Sequence, residues 1–255
     1  AAMTMTTTGT PAAAEAQDAV YALAAAGRWL YAGRLTGVYR SGDGSAGWQA
    51  VLPPQHEQIA VTALAAQGDV VFAGVKGAVL RSQDAGEHWE TVGLALPPPQ
   101  VVALAISPNF EQDGIVAAAT AEDGVFVSGD RGATWVPWNY ALFDHQVYAL
   151  AFSPAFQLDR TLYAGTESGI FVSTNAGRSW HDQPFPRESA PVLSLALMPD
   201  GRLLAGTEAA GLLLTDAAGA AWRQVCGNGT VNAVHAGSGR MLALLDDALI
   251  ASTDA

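Results

Sequence analysis

The sequence predicts an all-β chain folded as a six-bladed β-propeller of four-stranded antiparallel blades, and three observations predict it. A frame of the form S-x-D-x-G-x-x-W recurs along the chain at a period of about 42 residues. Each period carries short apolar runs of strand length, separated by turn residues. The length of 255 residues in one repeat array fits a single domain over 1–255 with ample core.

The frame opens at Ser41, Ser82, Ser128, Ser173, Thr215 and Ser252, giving steps of 41, 46, 45, 42 and 37 residues by subtraction. It closes at Trp48, Trp89, Trp135, Trp180 and Trp222, while the sixth copy reaches Ser252-Thr253-Asp254-Ala255 without a tryptophan. Its chemistry is that of a self-organising hairpin turn. The hydroxyl and the carboxylate two residues on (Asp43, Asp84, Asp130, with Asn175 in the fourth copy) accept hydrogen bonds from the turn's own N–H groups. Glycine (Gly86, Gly132, Gly177, Gly219) supplies the positive φ, and the tryptophan starts the returning strand. Ser45 in place of glycine, Asn175 in place of aspartate and Ala217 in place of aspartate predict looser turns in copies one, four and five.

In chain order, residues 1–18 are small and polar, and Met3 to Thr8 alternate as an exposed strand would. The segment 19–255 holds the six repeats. Each opens with an apolar, alanine-rich run, such as Val61-Thr62-Ala63-Leu64-Ala65 or Val147-Tyr148-Ala149-Leu150-Ala151, suited to a crowded innermost strand. A second run follows (Leu30-Tyr31-Ala32-Gly33, Leu162-Tyr163-Ala164-Gly165), then a third (Val79-Leu80-Arg81, Ile170-Phe171-Val172), then a fourth that begins at the tryptophan. The sixth copy lacks this fourth strand, and Met3 to Thr8 are predicted to supply it, closing the ring from the N-terminus. Copies three and four share an insertion, S-P-x-F-x-x-D, from Ser107 and Ser153. It reads as an ordered loop, since Asp113 and Asp159 bring too few oxygen ligands to resemble a calcium loop.

The frame is similar to the Asp-box, or BNR, repeat, and the chain resembles the Asp-box β-propellers in all six copies, from about Ala19 to Ala255. That family includes sialidases, xyloglucan-type glycosidases, sorting receptors and a photosystem assembly factor, so the resemblance implies a propeller and leaves the activity open. It also implies that the frame turns occupy one rim, with ligands taken by the loops joining second to third strands and blade to blade on the other face. Those second-to-third loops carry Arg34, Lys76, Glu122 with Asp123, Glu167, Glu208, and Asp246 with Asp247, a ring whose sign changes between the second and third blades. Blade-to-blade loops add His56 and Glu57, then Trp138, Tyr140 and Phe143 beside Asp144 and His145, then Arg187 and Glu188.

Carboxylates gathered at one mouth focus field on a cation or basic group, and exposed aromatics bury large area at low entropic cost. Solvated loop charges and aromatics folded back on the blade are the bland alternatives. The expected role is a non-catalytic binding or assembly scaffold for a protein partner. The competing class is a carbohydrate-active propeller, glycosidase or lectin, using carboxylates of the same face. The arginine-isoleucine-proline stretch that sialidase-like activity requires is missing, and arginine is spread over strands and frames.

With 24 acidic against 12 basic side chains the formal charge is −12, which argues against nucleic acid. Pro, Gly or charge interrupts every apolar run, so a soluble chain without direct membrane insertion is expected. Residues 1–10 lack the basic and apolar regions of a signal peptide. The five histidines have no metal spacing, His235 reads as a core residue, and Cys226 reads as a small buried hydrophobe. No cofactor or metal is implied.

Overall fold

The computed structural model describes residues 19–44, 47–52, 60–95, 97–216, 219–237, 240–246 and 248–252. The chain forms a six-bladed propeller of antiparallel sheets in which strand order follows sequence order. The first blade is β1 (Val20–Ala26), β2 (Trp29–Arg34), β3 (Gly37–Ser41) and β4 (Gln49–Leu52). The second is β5 (Ala63–Gln67), β6 (Val70–Val75), β7 (Ala78–Ser82) and β8 (Glu90–Gly93). The third is β9 (Val101–Ile106), β10 (Val116–Thr120), β11 (Val125–Ser128) and the short β12 (Val136–Pro137). The fourth is β13 (Val147–Phe152), β14 (Leu162–Thr166), β15 (Ile170–Ser173) and β16 (His181–Gln183). The fifth is β17 (Val192–Leu197), β18 (Leu203–Thr207), β19 (Leu212–Thr215) and β20 (Trp222–Cys226). The sixth has β21 (Val231–Gly237), β22 (Arg240–Leu245) and β23 (Leu249–Ser252), three strands among the described residues. Met3 to Thr8, expected to complete it, lie outside the described residues.

Innermost strands pack on one another in succession from β1 through β5, β9, β13 and β17 to β21. Small residues make this convergence possible. Ala117, Ala118 and Ala119 are fully buried, and a Cβ built on Gly165 would lie 2.9 Å from Cγ1 of Val192, the first residue of the next blade's inner strand. The alanine-glycine ending of the second strand is therefore the notch that receives the neighbouring blade. The inner strands of the end blades are less buried than a crowded innermost strand would be. In β1, Tyr21 is 52% and Leu23 71% exposed, and in β21 His235 is exposed rather than a core residue. Among the described residues β1 and β21 do not share the extensive packing that joins every other neighbouring pair of inner strands.

The frame does what its chemistry requires. Ser128 Oγ donates to Asp130 Oδ1 at 2.7 Å and accepts from Gly132 N at 2.8 Å, while Asp130 accepts from Thr134 N and Oγ1 at 2.8 and 2.6 Å. Asp84 repeats this with His88 N at 2.9 Å. The fourth turn is not looser. Asn175 Oδ1 accepts from Ser179 N at 2.9 Å and its amide donates to Ser179 Oγ at 2.7 Å, because the turn uses an oxygen and not a charge. In the fifth, Asp216 replaces the missing carboxylate one residue early and accepts from Ala220 N at 2.9 Å. Ser45 and Ala217 lie outside the described residues.

These turns are expected to make the fold acid-sensitive. Hydrogen bonds from the His88 backbone and ring hold Asp84, and those from the Thr134 hydroxyl and backbone hold Asp130, at about 2 against an ordinary 3.8. A carboxyl depressed in the folded state stabilises it above the unfolded value and loses that contribution as pH falls through the folded one. Urea midpoints are therefore expected to fall between about pH 4 and about pH 2, and Asp130→Asn, imitating the fourth copy, is expected to flatten that slope.

The shared insertion is a self-capped helical turn. Ser107 Oγ donates to Asp113 Oδ2 at 2.7 Å and Asp113 Oδ1 accepts from Ile115 N at 2.8 Å, around α1 (Phe110–Asp113). Ser153 and Asp159 do the same around α2 (Phe156–Asp159), and Phe110 and Phe156 are the buried anchors.

Candidate functional site

The mouth is built from one small device repeated in three blades. Thr120, Thr166 and Thr207 end the second strand, fully buried, and each Oγ1 donates to the carbonyl of the glycine that opens the third strand, Gly124, Gly169 or Gly211, at 2.8, 3.1 and 2.8 Å. A buried hydroxyl satisfied in this way closes the loop from beneath and leaves the residue after it outside. The exposed residues so presented are Glu122 with Asp123, Glu167 and Glu208. The threonine was missed in sequence reading, although its spacing to glycine was there to find.

Tyr148, on the inner strand β13, ties these groups together. Its hydroxyl donates to Glu167 Oε2 at 2.7 Å. Burial first, then Glu167, Asp144 and Glu208, push its pKa up to about 12. Carboxylates from the fourth blade, the fifth blade and the loop before the fourth therefore share one neighbourhood around a neutral phenol.

Asp144 is committed inside the protein. It accepts from Ser168 N at 2.7 Å and Gln146 N at 3.0 Å. Burial pushes its carboxyl up, but these hydrogen bonds outweigh burial and hold it below the ordinary value. Asp144 is thus a clasp between the 138–146 loop and the Glu167 loop. His145 is exposed, and its carbonyl accepts from Gly124 N at 3.0 Å. In the same loop Tyr140 and Phe143 are 78% and 87% exposed, held by Leu142, which is buried, and by Asn139, which bonds Val125 N and the Asp123 carbonyl at 2.8 Å each.

Trp138 does not join them. It is half-buried, its ring lies under Arg178 of the next frame turn at 5.3 Å, and its carbonyl accepts from Trp180 Nε1 at 2.7 Å. Together with Arg160, Arg178 and Asp113 it lines a cavity of about 520 Å³ on the frame side.

The predicted change of sign is visible as a contact between blades. Lys76 and the Glu122-Asp123 pair line one cavity of about 380 Å³ floored by Pro97, Pro98 and Pro99. Arg34 is spent differently, over the Tyr39 ring at 5.0 Å. Arg187 pairs with Asp182 at 2.6 Å, and Glu188 is exposed. Asp246 is exposed and accepts from Asn232 Nδ2 at 3.0 Å, whereas Asp247, His56 and Glu57 lie outside the described residues. Among the described residues no cluster of three or more His, Cys, Asp or Glu is placed to hold a metal ion. No helix among them is long and apolar enough to cross a membrane.

No protein-family model matches the chain, and no curated protein matches it. Solved structures share its fold. YCF48 bound to a D1 peptide superposes with a TM-score of 0.69 at 16% identity, over 93% of this chain and 80% of that one. The GH74 xyloglucanase from Xanthomonas campestris gives 0.74 at 20% identity, over 92% of this chain and 44% of that one. A chain of the mitotic checkpoint complex gives 0.69 at 14% identity, over 92% of this chain and 74% of that one. At these identities the likeness is one of fold.

Proposed function

We propose that the protein is a non-catalytic binding or assembly scaffold that recognises a protein partner through this mouth. The working surface is Glu122, Asp123, Glu167, Glu208, Asp246 and Asp247 with Tyr140, Phe143 and His145, and Asp144 and Trp138 hold its loops. The observation that carries the reading is Tyr148, whose hydroxyl donates to Glu167 Oε2 at 2.7 Å and whose pKa is raised by burial first and then by Glu167, Asp144 and Glu208, carboxylates of three separate loops. Such a field selects a basic partner, and Tyr140 and Phe143 offer it apolar anchorage. The frame's hydrogen bonds support its reading as the Asp-box repeat, and a propeller bound to a peptide, YCF48 with a D1 peptide, offers a parallel.

Affinity capture with the native chain, against a variant carrying Glu122→Gln, Asp123→Asn, Glu167→Gln, Glu208→Gln and Asp246→Asn, tests the reading. A basic protein partner retained by the native chain, released by salt and lost in the variant is expected. The xyloglucanase likeness supplies the rival. Hydrolysis or binding of a glucan, abolished by Glu167→Gln or Glu208→Gln alone, would replace the scaffold with a carbohydrate-active site.

A further inference from the structure

On the frame side, the cavity of about 520 Å³ between the third and fourth blades lies where the two preceding interfaces of the ring place an arginine. The residue before the frame serine points at the next blade's frame turn. In the first blade it is Arg40, which is buried, donates to the Ala85 carbonyl at 2.6 Å and pairs with Glu87 at 2.8 Å. In the second it is Arg81, which donates to the Arg131 carbonyl at 3.0 Å. In the third it is Val127, whose Cγ2 lies 3.2 Å from a Cβ built on Gly177. The valine covers the glycine of the turn and is too short to fill the space beyond it.

The charge pattern is reversed at the same interface. Glu87 follows the frame glycine in the second blade, whereas Arg178 follows it in the fourth. An ion pair built into the first interface is thus replaced, at the third, by a guanidinium beside a cavity. A second guanidinium, that of Arg160, enters from the insertion of the fourth blade. Rings hold both in place, Phe156 against Arg160 at 5.7 Å and Trp138 against Arg178 at 5.3 Å, and neither has a carboxylate partner among the described residues. Asp113 is the one carboxylate of the lining, and its two oxygens already accept from Ser107 Oγ and Ile115 N. In a chain with 24 acidic and 12 basic side chains, two cations left without an acid at one cavity favour an anion there.

We propose that this cavity binds a small organic anion, a carboxylate or phosphate carried on an apolar body. Arg160 and Arg178 take the oxyanion, whose geometry a guanidinium fork matches, and Thr174 adds a hydroxyl to the same wall. Val127, Ile115 and Trp138 receive the apolar body. An apolar floor with a few polar groups, in a volume of this size, is the usual make-up of a small-molecule site.

Calorimetric titration of the full chain with phenyl phosphate, benzoate and uncharged benzyl alcohol tests the assignment. One-to-one binding of at least one anion, at least roughly tenfold tighter than the alcohol and weakened by salt, is expected. The tighter of the two anions identifies the oxyanion. Arg160→Gln and Arg178→Glu, the second installing the acid that the second blade carries at this position, are each expected to weaken binding at least roughly tenfold with circular dichroism unchanged. Arg223→Gln, at an exposed arginine outside the cavity, should leave the affinity as it was. Failure of both anions to bind at millimolar concentration, equal affinity for the alcohol, or undiminished binding in the Arg160 and Arg178 variants would overturn the site. None of these outcomes bears on the mouth.

Discussion

Replacing Trp180 with alanine is expected to lower the unfolding free energy by about 3–5 kcal/mol, the range for deleting a large buried aromatic. The ring is 3% exposed and sits in the core shared by the third and fourth blades. Its loss also strands the Trp138 carbonyl, which the indole satisfies at 2.7 Å. Urea denaturation measures the change directly. The neighbouring copy provides a control. Trp135 is also buried, at 8% exposed, but its Nε1 has no partner among the described residues. Trp135→Phe should therefore cost less than Trp180→Phe, since only the second breaks a hydrogen bond. An equal cost would show that the indole hydrogen bond contributes nothing to blade docking.

Leu142→Ala is the second large effect, about 2–5 kcal/mol for a buried leucine if the site does not collapse. Leu142 is 2% exposed and anchors the loop that presents Tyr140 and Phe143. Its consequence reaches beyond stability. The loop is clasped to the Glu167 loop through Asp144 and Ser168, so loosening it moves aromatics and carboxylates together. Partner capture should weaken in Leu142→Ala at temperatures where circular dichroism still reports a folded chain, whereas Phe143→Ala should weaken capture and leave the urea midpoint unchanged.

The blades were legible because two local signals recur along the chain. The serine-to-tryptophan frame marks the hairpin in the first five copies, and an alanine-glycine pair in the second strand marks the inner notch in the first, second, fourth and fifth, each signal lying within about ten residues of chain. Burial of β1 and β21 was not legible, since an apolar run has the same composition whether or not a neighbouring blade covers it. The mouth was legible as charge and not as use. Glu167 and Glu208 were found by loop position, but nothing in the sequence separates Asp144, which caps two backbone N–H groups, from an aspartate facing solvent. Trp138 was misplaced for a related reason. Its partners, Arg178 and Trp180, lie 40 and 42 residues away by subtraction, beyond the reach of any local pattern. Tyr148 was hidden inside an apolar strand whose other residues are structural.

The threonine-to-glycine closure at the mouth has a further consequence. Thr120, Thr166 and Thr207 each complete their loop with a hydrogen bond to a backbone carbonyl inside the same blade, and that closure does not depend on the charge of exposed side chains such as Glu122 and Glu208. Those side chains can change while the loop keeps its path, whereas the 166–169 loop also answers to the preceding connection through Ser168 N and Asp144. Charge is thus the freely written layer of this face, and backbone path is the shared one.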